Sequence, residues 1–383
     1  MANAMTGVLH FTGLLRDIHY QACLTETLKT FPLAEFDINR AKASGIIQTE
    51  NTEIAYSKWV SPKRTQSASF ARVYNSYSAS NRVSKILTII PVLKDDGRDG
   101  DLDKIHYSTF SWMNLLNTYI VLGYHDHADK NSKPGQVDRQ KLTNHRFNNA
   151  SIRSQIQDII DYNQSAFEWN THLLETRFTE IFRKALDAYW QISDRTGVKI
   201  HGYTGMDQYL DSVKADFETF QKGSLKNTEE TSDRSPLAHA LKYLVSGSRA
   251  TFCIETDQGG VYPLSPESIF WVSGRYIIQE SRNAPKKPLP DLSDIQDGLL
   301  KLLPYSTLET LQLNGEAVEF SVRLKLTGCH IISQLMLPAS PDAIATFLTD
   351  NTDVFNQQDL MVIQSLNLEA EHNKHLEITI GGS

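Results

Sequence analysis

Two glutamates, Glu267 and Glu280, lie at equal distances on either side of a predicted tight turn at Ser273–Gly274, six residues from the nearer turn residue in each case. Residues equidistant from a hairpin turn lie opposite each other, with β-carbons about 5 Å apart. Two carboxylates placed in this way can hold one hard cation such as Mg²⁺. Arg282 has the same parity as Glu280, so both side chains should lie on one face of the sheet.

This arrangement suits the hydrolysis of a phosphodiester. A divalent cation held by Glu267 and Glu280 would act as a Lewis acid and as a template for the reacting water. A cation beside it would stabilise the charge that develops on the phosphate. Arg282 can do this but is a poor base, because a guanidinium does not readily lose a proton. Lys286 or Lys287 would have to reach back to supply a lysine.

The elements around these residues should follow in the order helix, three strands, helix, strand between residues 236 and 326. This order, with Pro266–Glu267 and Glu280–Ser281–Arg282, resembles the PD-(D/E)XK nucleases, and type II restriction endonucleases in particular. In that family an acid opens the second strand, and Glu-x-Lys or Asp-x-Lys ends the third. The chain departs from this pattern by having Glu267 in place of Asp and Arg282 in place of Lys.

The resemblance implies a Mg²⁺-dependent endonuclease that cuts double-stranded DNA. It also implies a homodimer, since cutting both strands of a palindrome favours two-fold symmetry. The assigned catalytic residues are Glu267, Glu280 and Arg282, and the first two are the metal ligands. The alternative is a catalytically inactive nuclease fold that binds DNA or assembles within a defence system, which the arginine at 282 favours.

A second group of acids follows an apolar strand in the first half of the chain. Asp95, Asp96, Asp99, Asp101 and Asp103 share a loop with Gly97 and Gly100. Alternating acids in such a loop can bind Ca²⁺ or Mg²⁺, although no Glu closes a twelve-residue calcium loop. Asp101 and Asp103 form a secondary candidate site, and Asp257 is a reserve for the first acid of the hairpin. His125 and His127 could chelate a transition metal but lack an evident third ligand.

A basic stretch with interspersed aromatic residues is the predicted DNA contact, and it contains Lys58, Lys63, Arg64 and Arg72. Such residues bind phosphates and can read base edges. The formal net charge of the whole chain is -7, so non-specific coating of nucleic acid is not expected.

The length of 383 residues predicts two domains. A polar segment at 222–235 is the predicted linker. It separates a mixed α/β recognition or scaffold region (1–221), with long helices at 151–170 and 173–196, from a nuclease-like domain (236–383). The predicted class is therefore α/β with an α+β arrangement.

Individual elements follow from periodicity and turn residues. In the first half, Leu24, Leu28 and Phe31 predict a helix that Pro32 ends, and apolar runs predict strands at 86–93 and 118–124. In the second half, the predictions are a helix at 236–245, strands at 249–256, 269–272 and 276–280, a helix starting at Ser293 with Gln296 in a capping box, and a hairpin of 308–313 with 318–326 across Asn314–Gly315.

Several classes are disfavoured. The three cysteines form no CxxC pair, which argues against zinc and disulfide frameworks. Walker A, GxGxxG, GxSxG, HExxH and kinase signatures are all missing from the sequence. Without an apolar run of membrane-spanning length or a signal-peptide pattern, the expected location is the cytoplasm.

Overall fold

The computed structural model describes residues 9–62, 67–132, 140–225 and 250–382. The chain divides into two compact units. Unit 1 contains residues 1–26, 77–81 and 220–383, and unit 2 contains 27–76 and 82–219. The boundary at 219/220 lies beside the predicted linker, of which 226–235 fall outside the described residues. The first 26 residues belong to the unit formed by the C-terminal half, which the sequence did not indicate.

Unit 2 is built on a five-stranded sheet in the order β2-β3-β4-β5-β8. The pair β3–β4 is antiparallel, and the other neighbours are parallel. Its strands are β2 (Lys29–Pro32), β3 (Ser44–Gln48), β4 (Glu53–Lys58), β5 (Lys85–Pro91), β6 (Leu93–Asp95), β7 (Leu102–Lys104), β8 (Tyr119–Gly123), β9 (His125–Lys130) and β10 (Leu142–Phe147). Its helices are α1 (Ser67–Ser76), α2 (Tyr107–Leu115), α3 (Asn149–Asp161), α4 (Ala166–Thr176), α5 (Phe178–Thr196) and α6 (Met206–Leu225), the last of which ends in unit 1.

Strands β5 and β8 of this sheet are mainly apolar. β8 is buried along its whole length. The isoleucines of α3, Ile152, Ile156 and Ile159, pack into the same core as Leu87 and Ile89 of β5. Burial on both faces explains why β5 and β8 read as continuous apolar runs, and both predicted strands are confirmed.

Two predictions for this unit were wrong. The segment around Phe31 forms strand β2, parallel to β3, because pairing with the sheet outweighs the helical spacing of three apolar residues. The region predicted to form two long helices contains three helices, α3, α4 and α5. A capping box at Ser165 starts α4, since the Ser165 hydroxyl accepts from the N–H of Glu168 and the Glu168 carboxylate accepts from the N–H of Ser165.

Unit 1 contains two five-stranded sheets, β12-β11-β1-β15-β16 and β13-β14-β17-β19-β18. Its strands are β1 (Leu9–Leu15), β11 (Ala250–Thr256), β12 (Val261–Leu264), β13 (Ser268–Val272), β14 (Arg275–Ala284), β15 (Thr310–Leu313), β16 (Glu316–Ala317), β17 (Phe320–Gly328), β18 (Leu335–Leu337) and β19 (Leu376–Gly382). Its remaining described helices are α7 (Leu292–Ser306), α8 (Pro341–Asp350) and α9 (Gln357–His372).

The α+β class is confirmed, but the elements are distributed differently from the expected nuclease-like core. The predicted helix at 236–245 lies outside the described residues. The predicted first strand is β11, which pairs in parallel with β1 and belongs to the other sheet. The hairpin β13–β14, helix α7 and strand β17 do follow the expected order, and β17 runs parallel to β14. The hairpin that the sequence predicted around Glu280 and Arg282 therefore forms, with Glu267 directly before its first strand.

Two local predictions around this core need correction. Asn314 and Gly315 have φ of 53° and 85°, as a type I′ turn requires, but the turn joins β15 to the two-residue β16. The chain then changes sheets, and β17 lies between β14 and β19. The capping box at Ser293 does not form, because α7 begins at Leu292 and the Gln296 amide donates to the carbonyl of Leu24.

None of the helices in the described part of the chain combines the length and apolar character needed to cross a membrane.

Candidate active site on the β13–β14 hairpin

The hairpin has the register that the sequence predicted. Ser268 pairs with Gln279, which makes Glu267 and Glu280 the next opposing pair beyond it. Ser273 and Gly274 have φ of 51° and 86°, so both turn residues are left-handed, as a two-residue hairpin requires. The β-branched and aromatic run Ile269–Val272 suits a strand. The turn therefore positions the two acids.

Two hydrogen bonds across the hairpin hold the carboxylates of Glu267 and Glu280. The backbone N–H of Glu267 donates to Oε1 of Glu280 at 3.1 Å, and the N–H of Ser281 donates to Oε2 of Glu267 at 2.6 Å. Glu267 is exposed, whereas Glu280 retains only 4% of its accessible surface. One acid of the pair thus faces solvent while the other is held inside.

Arg282 lies beside Glu280 on the same face, as its parity predicted. Its Nη1 is 3.3 Å from Oε2 of Glu280, and its Nη2 donates to Oδ2 of Asp297 at 2.7 Å. Its Nε donates to the carbonyl of Asp294 at 3.0 Å. Four partners, counting the Ser281 carbonyl at 2.7 Å, fix the guanidinium against the first turns of α7. A planar fork suits this multiple binding better than an ammonium.

Two residues of α7, Asp297 and Lys301, complete the network. Lys301 Nζ lies 3.2 Å from Oδ2 of Asp297. Sequence reasoning missed both, although their i,i+4 spacing on an amphipathic helix was visible. Gly298 lies between them, and a β-carbon there would come 2.7 Å from Leu324 and 3.5 Å from Nε of Arg282. The glycine lets the helix approach the sheet closely enough for these ion pairs to form.

Burial and the neighbouring positive charges have opposite effects on the pKa of Glu280. Burial raises the pKa of Glu280, whereas the positive charges of Lys301 and Arg282 lower it, and the net shift is upward. Lys301 has the larger effect of the two cations. Lys301 is therefore the lysine whose charge acts on Glu280. Lys287 instead binds Asp291 at 2.6 Å on the surface.

The other predicted residues lie elsewhere. Asp257 is exposed in the turn between β11 and β12. In unit 2, Asp101 is exposed between β6 and β7, whereas Asp103 is buried on β7 and accepts from the Ser61 hydroxyl at 2.5 Å. The structure thus does not bring Asp101 and Asp103 into one solvent-facing pair.

The predicted histidine pair is also divided. His125 is buried, stacks on Phe147 and lies 3.2 Å from the Tyr189 hydroxyl, whereas His127 pairs with Asp129 at 3.3 Å. Across residues 9–62, 67–132, 140–225 and 250–382, no group of three or more His, Cys, Asp or Glu side chains could hold a metal ion.

Two of the predicted DNA-contacting residues have structural roles in unit 2. The Lys58 ammonium donates to the carbonyls of Ile38 and Ala41 at 2.8 and 2.6 Å. Arg72 donates to the carbonyl of Lys58 at 3.0 Å. Burial lowers the pKa of both groups. Contact with DNA by either residue stays a prediction, and Lys63 and Arg64 lie outside the described residues.

Comparisons of the chain with protein-family models, with curated protein sequences and with solved structures found no match. The function must therefore be inferred from the geometry of the site.

Proposed function

We propose that the chain is a Mg²⁺-dependent nuclease that hydrolyses phosphodiester bonds of double-stranded DNA at the β13–β14 hairpin. The observation that carries the proposal is the hydrogen bond from the backbone N–H of Glu267 to the Glu280 carboxylate across the hairpin, with Arg282 bound to Glu280 and Lys301 acting on its charge. As part of the same proposal, the enzyme is a cytoplasmic homodimer that resembles type II restriction endonucleases.

The donor set fits a magnesium ion. Mg²⁺ is usually bound by one or two carboxylates and keeps several waters. The two glutamates provide four oxygens, of which three already accept one hydrogen bond each, and a carboxylate oxygen has a second lone pair to offer. When bound, the ion would supply Lewis acidity to the scissile phosphate and lower the pKa of a water.

The chain's own residues would do the rest. Glu280 is held rigid by Arg282 and by the backbone of Glu267, so the position of its carboxylate is set before substrate arrives. Arg282 and Lys301 place two positive charges where a phosphate would gain charge during the reaction. Exposed Glu267 leaves one side of the pair open to solvent and to DNA.

The test is cleavage of a supercoiled plasmid in Mg²⁺ and in EDTA. Wild-type protein should cut only with the metal, and Glu280→Gln should reduce the rate at least ~100-fold, the lower range for a catalytic group. Glu309→Gln is the matched control, because Glu309 forms an exposed ion pair with Arg16 elsewhere in unit 1. Cutting in EDTA, or equal rates for the two variants, would refute the proposal.

A second candidate function is DNA binding without catalysis. The observation that favours it is that Arg282 pairs with Glu280 and Asp297, and Lys301 pairs with Asp297. Both cations thus balance the charge of acids in the fold, a role that requires no catalysis. Retention of a labelled duplex without cleavage in Mg²⁺ or Mn²⁺ would support this function over the first.

A further inference from the structure

A buried carboxylate in unit 2 accepts four hydrogen bonds. Asp95 has no accessible surface and lies on β6, just beyond the carboxyl end of β5. It accepts from the His201 ring at 2.8 Å, the His201 N–H at 3.1 Å, the Tyr203 hydroxyl at 2.9 Å and the Gly97 N–H at 2.8 Å. In open parallel sheets, ligands bind outside the carboxyl ends of the strands, which is where this cluster lies.

The contact with Asp95 fixes the orientation of the His201 ring. A carboxylate accepts only, so the ring nitrogen that faces it, Nδ1, carries the proton. The Nε2 atom is then the lone-pair acceptor of the neutral ring. The His201 side chain is 26% exposed while that of Asp95 is fully buried. A base oriented by a buried acid, with its second nitrogen available, is the arrangement used in nucleophilic and general-base catalysis.

The other acids near Asp95 and His201 include two, Asp96 and Asp99, that already have partners. Asp96 is paired with Lys94 at 3.0 Å, and the His145 ring contacts the backbone carbonyl of Asp95 at 3.1 Å. Asp99 accepts from the backbone of Gln140 at 2.9 Å.

Arg98 and Lys199 are exposed, and the N–H of Arg98 donates to the carbonyl of Lys199 at 2.7 Å. The backbones of these two cationic residues therefore adjoin, and Lys199 is two residues from His201. Neither forms an ion pair with any other described residue. Asp101 is the exposed acid that remains on this loop. Two exposed cationic residues on adjoining backbone segments, close in sequence to a base, favour an anionic substrate.

We propose that His201, oriented by Asp95, is the general base of a second catalytic centre that hydrolyses phosphate esters. Water attacks phosphorus as Nε2 of His201 takes one of its protons. A bond forms between phosphorus and the water oxygen, the bond from phosphorus to the ester oxygen breaks, and the leaving alkoxide is protonated by solvent. Arg98 and Lys199 bind the phosphate oxygens. This centre does not depend on the hairpin of unit 1.

The test uses the full chain carrying Glu280→Gln, so that the hairpin cannot contribute. Turnover is measured with para-nitrophenyl phosphate, with its bis ester and with a labelled oligonucleotide, which separates small esters from nucleic acid. Adding His201→Gln should reduce turnover at least 100-fold, remove the acidic limb of the pH profile and allow partial rescue by imidazole. His172→Gln, an exposed histidine of α4, should change none of these.

Two sets of measurements distinguish a catalytic role of His201 from a merely structural one. A structural role would lower the melting temperature without imidazole rescue and without changing the pH profile of the remaining activity. NMR of the histidine rings in the unsubstituted chain should show that the neutral form of His201 carries its proton at Nδ1 and not at Nε2. The opposite tautomer, no turnover of any of the three esters, or equal rates for the His201 and His172 variants would overturn the proposal.

Discussion

Nη2 of Arg282 lies 2.7 Å from Oδ2 of Asp297, and this bond joins strand β14 to helix α7. The same guanidinium reaches the buried carboxylate of Glu280. A residue assigned to catalysis from the sequence is thus also the centre of an ion network that stabilises unit 1, and the two roles give separable predictions.

Replacement of Arg282 by Met should cost about 3 kcal/mol of unfolding free energy, because it leaves the carboxylate of Glu280 buried without its guanidinium. Arg16→Met removes an exposed ion pair with Glu309 and should cost less than about 1 kcal/mol. Trp271 is the one tryptophan in the sequence of unit 1, so fluorine NMR of 5-fluorotryptophan during urea unfolding isolates this unit. Equal losses for the two variants would show that the network adds no stability.

The stability of unit 1 should fall as pH rises through the titration of Glu280. Burial raises the folded-state pKa of Glu280 above its unfolded value of about 4.3, so the folded state favours the protonated acid. The resulting stabilisation is complete below the unfolded pKa and is lost as pH passes the folded pKa. Glu280→Gln should remove the part of this pH dependence that begins at the unfolded pKa of about 4.3 and extends to higher pH. A slope unchanged by this substitution would assign the dependence to another group.

Unit 2 should respond to pH in the opposite sense. Burial lowers the pKa of His125 and, more weakly, that of His145. The unfolded chain therefore binds protons at these histidines near pH 6.5, whereas the folded unit does not. The stability of unit 2 is lost as pH falls below that value, by up to about 2 kcal/mol per histidine at pH 5. His125→Phe should reduce this loss, whereas His127→Phe, on a half-exposed ring, should not. Urea titrations at pH 7 and pH 5, followed by the four tryptophans of unit 2, measure the difference.

Helix α3 should depend on a lysine that is distant in sequence. The Lys85 ammonium donates to the carbonyls of Ile159 and Tyr162, each at 2.5 Å, at the end of that helix. Lys85→Met removes a positive charge from the helix C-terminus and leaves those carbonyls without this donor, which should cost about 2 kcal/mol. Lys130→Met, at an exposed position, should change stability by less than about 0.5 kcal/mol. Hydrogen exchange of the last turn of α3 would show whether the effect is local.

Some of the site was determined by local sequence. The type I′ turn at Ser273–Gly274 and the strict alternation of a strand place Glu267 opposite Glu280 and put Arg282 on the face of Glu280, whatever surrounds the hairpin. The apolar runs of β5 and β8 likewise predicted buried strands, because a sheet covered on both faces needs apolar residues at successive positions.

Other features were decided only by the tertiary structure. Sequence periodicity cannot tell which sheet a strand joins, so β11 and β17 were assigned to the wrong neighbours, and Phe31 was assigned to a helix. The partners of a charge depend on which distant backbone approaches it. Asp297 and Lys301 thus reach the hairpin through α7, Lys58 turns inward to the carbonyls of Ile38 and Ala41, and Asp95 meets His201 from 106 residues away. Local pattern sets the direction of a side chain, and long-range packing sets what that side chain meets.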